Sequence, residues 1–472
     1  MKHIMQKMKN TQFLKPGSKL DLFLEKRYNS SQFTYGQIFG MLIPLIVDQF
    51  FIYFISVLTS SLISASSETS TAAVSLVSPI AMIAMSLFSA ISNGGTVIVA
   101  QYKGKGDEEQ VRRSAAQVII ITFLVATLSC ILMIIFARPL IDLFFGSTDQ
   151  LIRDKATEYM IGFALSLPTF SIFNGIFNVL RGVGDTKICL RLTVVINIVH
   201  LVACVIFINF LKLDILGTTL AFNVARMIGC ILALYIIFNP KGNFTLRLRD
   251  FSRIEFNIQK AIVKMGIPFA VEQIFLNVGF MLCQIYMAHL GQSVIAGNYI
   301  ASSISNLFYS AGFAVSTLSI TVIGQCIGAG EIDTAKRYGK RMIRLGTITM
   351  ILSLIVLLPV TPLILTLFRP EASTLPLVTQ AILIGIIPIP FVWSLSYVTP
   401  SILRAAGDAN FTSTVALMTM WTMRVGLGYV LAIPCGLGLN GVWISMGAEW
   451  AARAIIYWVR YKGTKWLEKK VV

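Results

Sequence analysis

Two acidic side chains lie inside long apolar runs. The chain reads Pro44-Leu-Ile-Val-Asp48-Gln49 in one run and Pro268-Phe-Ala-Val-Glu272-Gln273 in another. A charged group at the centre of a bilayer costs about 2.5–3.5 kcal/mol or more, so it must face a bundle interior or a wet cavity. Burial disfavours the charged form of a carboxylate. Such a group can take up a proton or Na+ on one side and release it on the other, or it can attract a cationic solute. The competing reading is a structural pair with a buried arginine. Asp48 lies about twelve residues, or ~18 Å, into its span, which predicts a position near the midplane. Gln49 and Gln273 are counted with the acids as candidate ion- or substrate-binding residues, with Na+ expected near Asp48 or Glu272.

Other polar groups also fall inside apolar runs. Arg226, Arg424 and Arg453 are three, and Glu449 precedes Arg453 by four residues, the spacing of an ion pair on one helix face. Arg226 and Arg424 either neutralise the two acids or hold an anionic substrate. Asn197, His200, Thr219 and Asn223, with Asn174 and Asn178, either line a hydrated pocket in the first half or hydrogen-bond between helices. Phe50, Phe54, Phe275, Tyr299, Met418, Met420 and Trp421 are candidates for an adaptable apolar cavity.

The elements that position these groups are membrane spans. The chain of 472 residues is 56% hydrophobic and 13% charged, with a mean hydropathy of +0.76; a soluble chain carries about 25% charged residues. Apolar runs predict twelve spans at 36–62, 72–101, 114–137, 156–179, 189–210, 216–238, 260–287, 294–326, 345–368, 376–402, 410–433 and 439–459. The net charge of +17 does not indicate nucleic acid: most of the 39 Lys and Arg fall in the tails and the loops of one side. That asymmetry places both termini in the cytoplasm. The basic N-terminus has no apolar signal-peptide core, and Leu20, Leu22, Phe23 and Leu24 suit a short amphipathic helix or a disordered tail. The seven cysteines form no CxxC pair and histidines are three, so neither a disulfide framework nor a zinc site is expected. No Walker sequence or nucleophile–base set is present, so no cofactor and no enzyme chemistry are expected.

The spans come in two copies. Pro268 follows Pro44 by 224 residues, and the same offset pairs Gln101 with Gln325, Gly104 with Gly328 and Gly106 with Gly330. Leu180-Arg181-Gly182-Val183-Gly184-Asp185 answers Leu403-Arg404-Ala405-Ala406-Gly407-Asp408 at an offset of 223. Six spans per half return the chain to its starting side, so the repeats are parallel. The expected fold is an all-α polytopic membrane protein of two six-helix lobes. The divisions are a basic tail at 1–35, an N-lobe at 36–238, a cytoplasmic linker at 239–259, a C-lobe at 260–460 and a tail at 461–472.

The residues Gln101-Tyr-Lys-Gly-Lys-Gly106, Gly324-Gln325-Cys-Ile-Gly-Ala-Gly330, Arg181-Gly-Val-Gly-Asp185, Arg404-Ala-Ala-Gly-Asp408 and Gly438-Leu-Asn-Gly-Val-Trp443, taken in register, resemble the multidrug and toxin extrusion (MATE) transporters of bacteria. The resemblance implies a V-shaped pair of lobes around a central cleft. It implies export of small organic, amphipathic cations in exchange for H+ or Na+, by a monomer in the cell membrane. Where many members carry Val-Asp-Thr in the first span, this chain has Leu58-Thr59-Ser60. The alternative is a flippase for an anionic lipid-linked precursor, with Arg226 and Arg424 as anion hooks.

Overall fold

The structure is a computed structural model that describes residues 18–64, 68–145, 149–368 and 374–468. Residues 1–17 of the expected N-terminal tail, and the last four of the C-terminal tail, lie outside the described residues. The described chain is an all-helical polytopic membrane protein built from two repeats of the same helix order.

In the first repeat the spans are Tyr35–Ser64, Glu68–Lys105, Glu108–Ile135 continued by Ala137–Phe145, the broken pair Gln150–Leu165 and Leu167–Val183, Thr186–Cys204 ending in the π-helical Val205–Phe210, and Asp214–Phe238. The second repeat runs Phe256–Ala288, Gln292–Gly328, Ile332–Leu357 continued by Thr361–Phe368, the broken pair Leu375–Ile386 and Ile389–Ala405, Ala409–Ala432 with π-helical Met420–Leu427 inside it, and Gly438–Lys462. Eight of these helices are long and apolar enough to cross a membrane, and the two broken pairs bring the number to ten. The ninth and twelfth complete the twelve. They have spanning length but carry Lys340, Arg341 and Arg344, and Glu449 and Arg453, which lower their hydropathy.

The breaks recur in both halves. The fourth span bends by 42° and the tenth by 41°, each beside prolines (Pro168; Pro388 and Pro390) that remove a backbone donor. The turns recur too. Gly184 and Gly407 end the fourth and tenth spans at φ 90° and 98°, and Gly106 and Gly330 follow the second and eighth at φ 79° and 76°. This left-handed region is one that glycine enters without steric cost.

On the side that carries the termini, each lobe lends its first helix to the other. Ile38, Met41, Leu42 and Leu45 of the first span pack with Leu318, Val322 and Tyr338 of the second repeat. Ile258, Ile262, Met265 and Phe269 of the seventh pack with Ile91, Ile98 and Phe177 of the first repeat. Spans two and seven meet backbone to backbone at Gly94 and Gly266: a Cβ at Gly94 would sit 2.8 Å from the Gly266 nitrogen. Before the first span, Lys19–Tyr28 forms a short helix capped by Ser18. Leu22 and Phe23 are exposed on it, while buried Asp21 accepts a hydrogen bond from the Tyr35 hydroxyl.

Candidate functional site

Both repeated acids are buried, Asp48 completely and Glu272 to 5% exposure. Each meets an arginine of its own repeat. Arg181 Nη2 lies 2.9 Å from Asp48 Oδ2, and Arg404 Nη2 lies 2.5 Å from Glu272 Oε2. Each guanidinium also covers a phenylalanine ring, Arg181 over Phe177 at 4.2 Å and Arg404 over Phe269 at 4.4 Å. Neither Arg226 nor Arg424 neutralises the acids; the arginines that do so end the fourth and tenth spans. The two sites differ in one respect. Glu272 Oε2 also accepts from the Ser413 hydroxyl at 2.7 Å. Asp48 Oδ1 is buried with no hydrogen-bond partner, and Gln49 reaches only Oδ2, at 3.3 Å. Gln273 is exposed and turned away from Glu272.

The depth of Asp48 measured from the neighbouring turn is less than the ~18 Å counted from the first residue of its span. Thr186 donates to the Met41 carbonyl at 3.0 Å, so the turn after the fourth span meets the first span at Met41. Asp48 is seven residues beyond, or about 10 Å at 1.5 Å per residue. Counted from that turn, Asp48 lies about 5 Å short of the middle of a ~30 Å core, on its terminal side. The first span starts below that turn, which is why counting from its first residue overstates the depth.

Directly beneath the acids the lobes are clasped. Gln101 Nε2 donates to the Ala405 carbonyl at 2.8 Å, and Gln325 Nε2 donates to the Gly182 carbonyl at 3.1 Å. Thr321 adds a bond to the Arg181 carbonyl at 2.8 Å. The helices can approach this closely because Gly104 and Gly328 face each other's partners: a Cβ at Gly104 would collide with the Gln325 carbonyl, and one at Gly328 with the Gln101 carbonyl. The residue that closes each clasp is thus next to the arginine that holds each acid. A strap from the N-terminus crosses the same face. Ser31 and Gln32 donate to Glu331 at 2.6 and 3.1 Å, and Tyr338 donates to the Tyr28 carbonyl. The Ser31 hydrogen bond, ahead of the others, holds the Glu331 carboxyl below its ordinary range.

Deeper in the second lobe, Glu449 bridges two arginines. Its Oε2 lies 2.5 Å from Arg424 Nε and its Oε1 lies 2.7 Å from Arg453 Nη2. Arg453 further donates to Thr419 and to the Ala416 carbonyl at 3.1 and 3.2 Å. The i,i+4 pair read from sequence is present, and Arg424 is drawn to the same carboxylate. Around it stand Tyr309, Trp393, Tyr397 and Trp450, with Trp393 and Tyr397 stacked at 4.7 Å.

Among the described residues the first lobe has no buried counterpart: its bridging carboxylate, Asp142 between Arg138 and Arg153, is only half-buried. Asn223 donates to the Gly162 and Thr219 carbonyls, both at 2.9 Å, Asn197 to Thr193 at 2.8 Å, and Thr219 to Leu216 at 2.9 Å. His200 lies against Phe222, with ring centroids 4.5 Å apart, and its Nε2 is 3.5 Å from Cys204 Sγ. Asn178 bonds Ser92 at 2.9 Å and Asn174 at 3.0 Å. Only the Asn223–Gly162 and Asn178–Ser92 bonds cross between helices; the others return to the same helix three or four residues away. Arg226 is different: buried to 6% exposure, it holds no carboxylate among the described residues. A cavity of about 560 Å³ opens at the side away from the termini, where spans seven and eight meet, within the ~300–1,000 Å³ of small-molecule sites. Gln284, Met287, Gln292, Ile295, Asn298 and Tyr299 line it without any charge. Of the aromatic set, Phe50 stacks on Phe54 and Phe275 meets Trp421 edge-on.

Comparison with known proteins agrees with this architecture. The MatE family model matches twice, over residues 44–206 and 268–430, at the same 224-residue offset. The chain is 26% identical over 442 residues to the "Uncharacterized transporter YisQ" of Bacillus subtilis, covering 92% of this chain and 95% of that one. It is 25% identical over 396 residues to the "Probable multidrug resistance protein NorM" of Thermotoga maritima, covering 81% and 82%. Among solved structures it is similar to an outward-facing MATE family transporter of the MOP superfamily, with a TM-score of 0.82, 20% identity, and 90% and 95% coverage. Two matches to one family model, together spanning well over half of the chain, and a shared two-lobed fold lead to one conclusion: this protein belongs to the MATE family of multidrug efflux transporters.

Proposed function

We propose that the protein is a monomeric, secondary active antiporter of the cell membrane, with both termini cytoplasmic. It exports small amphipathic organic compounds in exchange for H+ or Na+ by alternating access. The observation that carries the reading is the coupling of buried acid, arginine and clasp in both repeats: Asp48–Arg181 lies beside the Gln325–Gly182 bond, and Glu272–Arg404 beside the Gln101–Ala405 bond. An incoming H+ or Na+ competes with the arginine for the carboxylate. Asp48 Oδ1, buried without a partner, is the acceptor open to it. Loss of the ion pair frees Arg181 or Arg404, shifts the turn that follows, and unlocks the clasp at its carbonyl. In this scheme ion binding biases a two-state interface, which is what alternating access requires. A cationic substrate, which the family resemblance favours, also draws on Asp48 or Glu272, and so can be exchanged for the coupling ion.

The test is transport in proteoliposomes with separately imposed pH and Na+ gradients. Asp48→Asn and Glu272→Gln should abolish gradient-driven export while the protein remains folded. Normal export by both variants would show the assignment to be wrong.

A further inference from the structure

Four arginines that reach into the lobe interiors, Arg181, Arg404, Arg424 and Arg453, each hold a carboxylate. Arg226 does not. It lies halfway along the sixth span and is 94% buried by its 6% exposure. Its guanidinium carries five N–H donors. One reaches the Ser166 hydroxyl, and Nη2 lies 3.8 Å from the Met85 sulfur. The rest of its surroundings are aromatic: Phe163, Phe170 and Phe222 stand at 4.8, 4.6 and 5.1 Å from its central carbon. Ser166 is the residue at which the fourth span breaks and bends by 42°. The arginine is therefore aimed at a helix break, caged by rings, with no carboxylate against it among the described residues.

We propose that Arg226 is an anion-recognition point of the first lobe, taking the carboxylate, sulfonate or phosphate of an amphipathic aromatic substrate. The planar fork of a guanidinium suits two oxygens of such a group. Of the phenylalanines around it, the half-buried Phe170 and Phe222 offer apolar surface to a substrate ring. This names a substrate class for the transporter and rests on the export reading above.

The experiment is equilibrium binding to the full-length protein in nanodiscs, using naphthylacetate, its methyl ester and naphthylethylamine. Wild type should bind the acid about tenfold or more tightly than the ester, the discrimination of one charge-assisted pair. Arg226→Gln should lose that preference with ester binding unchanged, and Arg226→Lys should retain part of it. The proposal is overturned if the wild-type protein binds the ester as tightly as the acid, a comparison that needs no variant. It is overturned equally if Arg226→Gln lowers thermal stability and keeps the acid preference, which makes Arg226 a pin for the helix break. Binding needs no gradient, so the two readings fail separately. Acid preference without gradient-driven export defeats antiport alone, and export of amines without acid binding defeats this site alone.

Discussion

Gln101 and Gln325 make the same hydrogen bond in opposite directions across the interface between the lobes. Gln101 donates to the Ala405 carbonyl at 2.8 Å, and Gln325 donates to the Gly182 carbonyl at 3.1 Å. Each acceptor immediately follows the arginine that holds a buried acid, Gly182 after Arg181 and Ala405 after Arg404. The interface is thereby wired to the ion pairs in both repeats, by two bonds that each link different lobes.

The clasp predicts a shift in the conformational equilibrium. Each bond contributes about 1 kcal/mol net, so Gln101→Ala with Gln325→Ala should weaken the closed terminal face by about 2 kcal/mol, roughly 30-fold in population. Spin labels at the exposed Lys105 and Arg337, one in each lobe, should report longer distances in the double variant. An unchanged distance distribution would mean that the apolar contacts alone hold the face shut.

The Glu272–Arg404 pair predicts non-additive stability. Removing one partner of a buried pair leaves an unpaired charge and costs about 3–5 kcal/mol, whereas replacing both with apolar groups can be near neutral. Arg404→Met should lower the melting temperature sharply in detergent, and Arg404→Met with Glu272→Met should recover much of the loss. Ser413→Ala should cost less than either single removal, because Arg404 still satisfies the carboxylate. Melting curves of the wild type, Arg404→Met, Glu272→Met and the double variant form a double-mutant cycle, and simple additivity would deny the pair any coupling.

Much of the architecture was legible because duplication writes itself twice. The offset from Pro44 to Pro268 gave the repeat, and six apolar runs per half gave its parallel sense. The glycines at 106, 330, 184 and 407 recur at the repeat offsets, and the structure sets all four at left-handed φ. The partners of the acids were harder to read. Arg181 and Arg404 stood in the sequence as turn motifs, outside the apolar cores of their spans, and a long arginine side chain can reach inward from a helix end. The signal was available, since both members of each pair recur at nearly the same offset. Arg424 was harder still: its partner Glu449 already had an i,i+4 mate, and only tertiary packing brings a second arginine to the other oxygen.

The triad predicts an order of severity. Glu449 faces two guanidinium groups, so Glu449→Gln leaves two like charges close together and unneutralised. It should destabilise the second lobe more than Arg424→Met, which leaves the Glu449–Arg453 pair with its Thr419 and Ala416 bonds intact. The glutamine variant should cost about 3–5 kcal/mol or more, and Arg424→Met, which leaves no charge uncompensated, should cost less. Denaturant unfolding in mixed micelles compares them, and a milder effect for Glu449→Gln would contradict the bridging role.

The N-terminal strap predicts a pH dependence outside the membrane. Hydrogen bonds from Ser31, above all, and Gln32 hold the docked Glu331 carboxyl below its ordinary value of 4.5. For a carboxylate whose folded value is depressed, the stabilisation is fully present above the ordinary value. It is lost as pH falls through the folded one. Docking should therefore be constant from pH 8 to 6 and weaken below about 4.5, where the carboxylate protonates. A spin label at exposed Leu22, on the helix that the strap follows, should gain mobility over that window. Glu331→Gln should show raised mobility at every pH with the step removed. A step of the same size in the glutamine variant would assign the transition to another group. Because the strap joins the first span to the opposite lobe, its release should also loosen the terminal face, which the Lys105–Arg337 distance would register in the same samples.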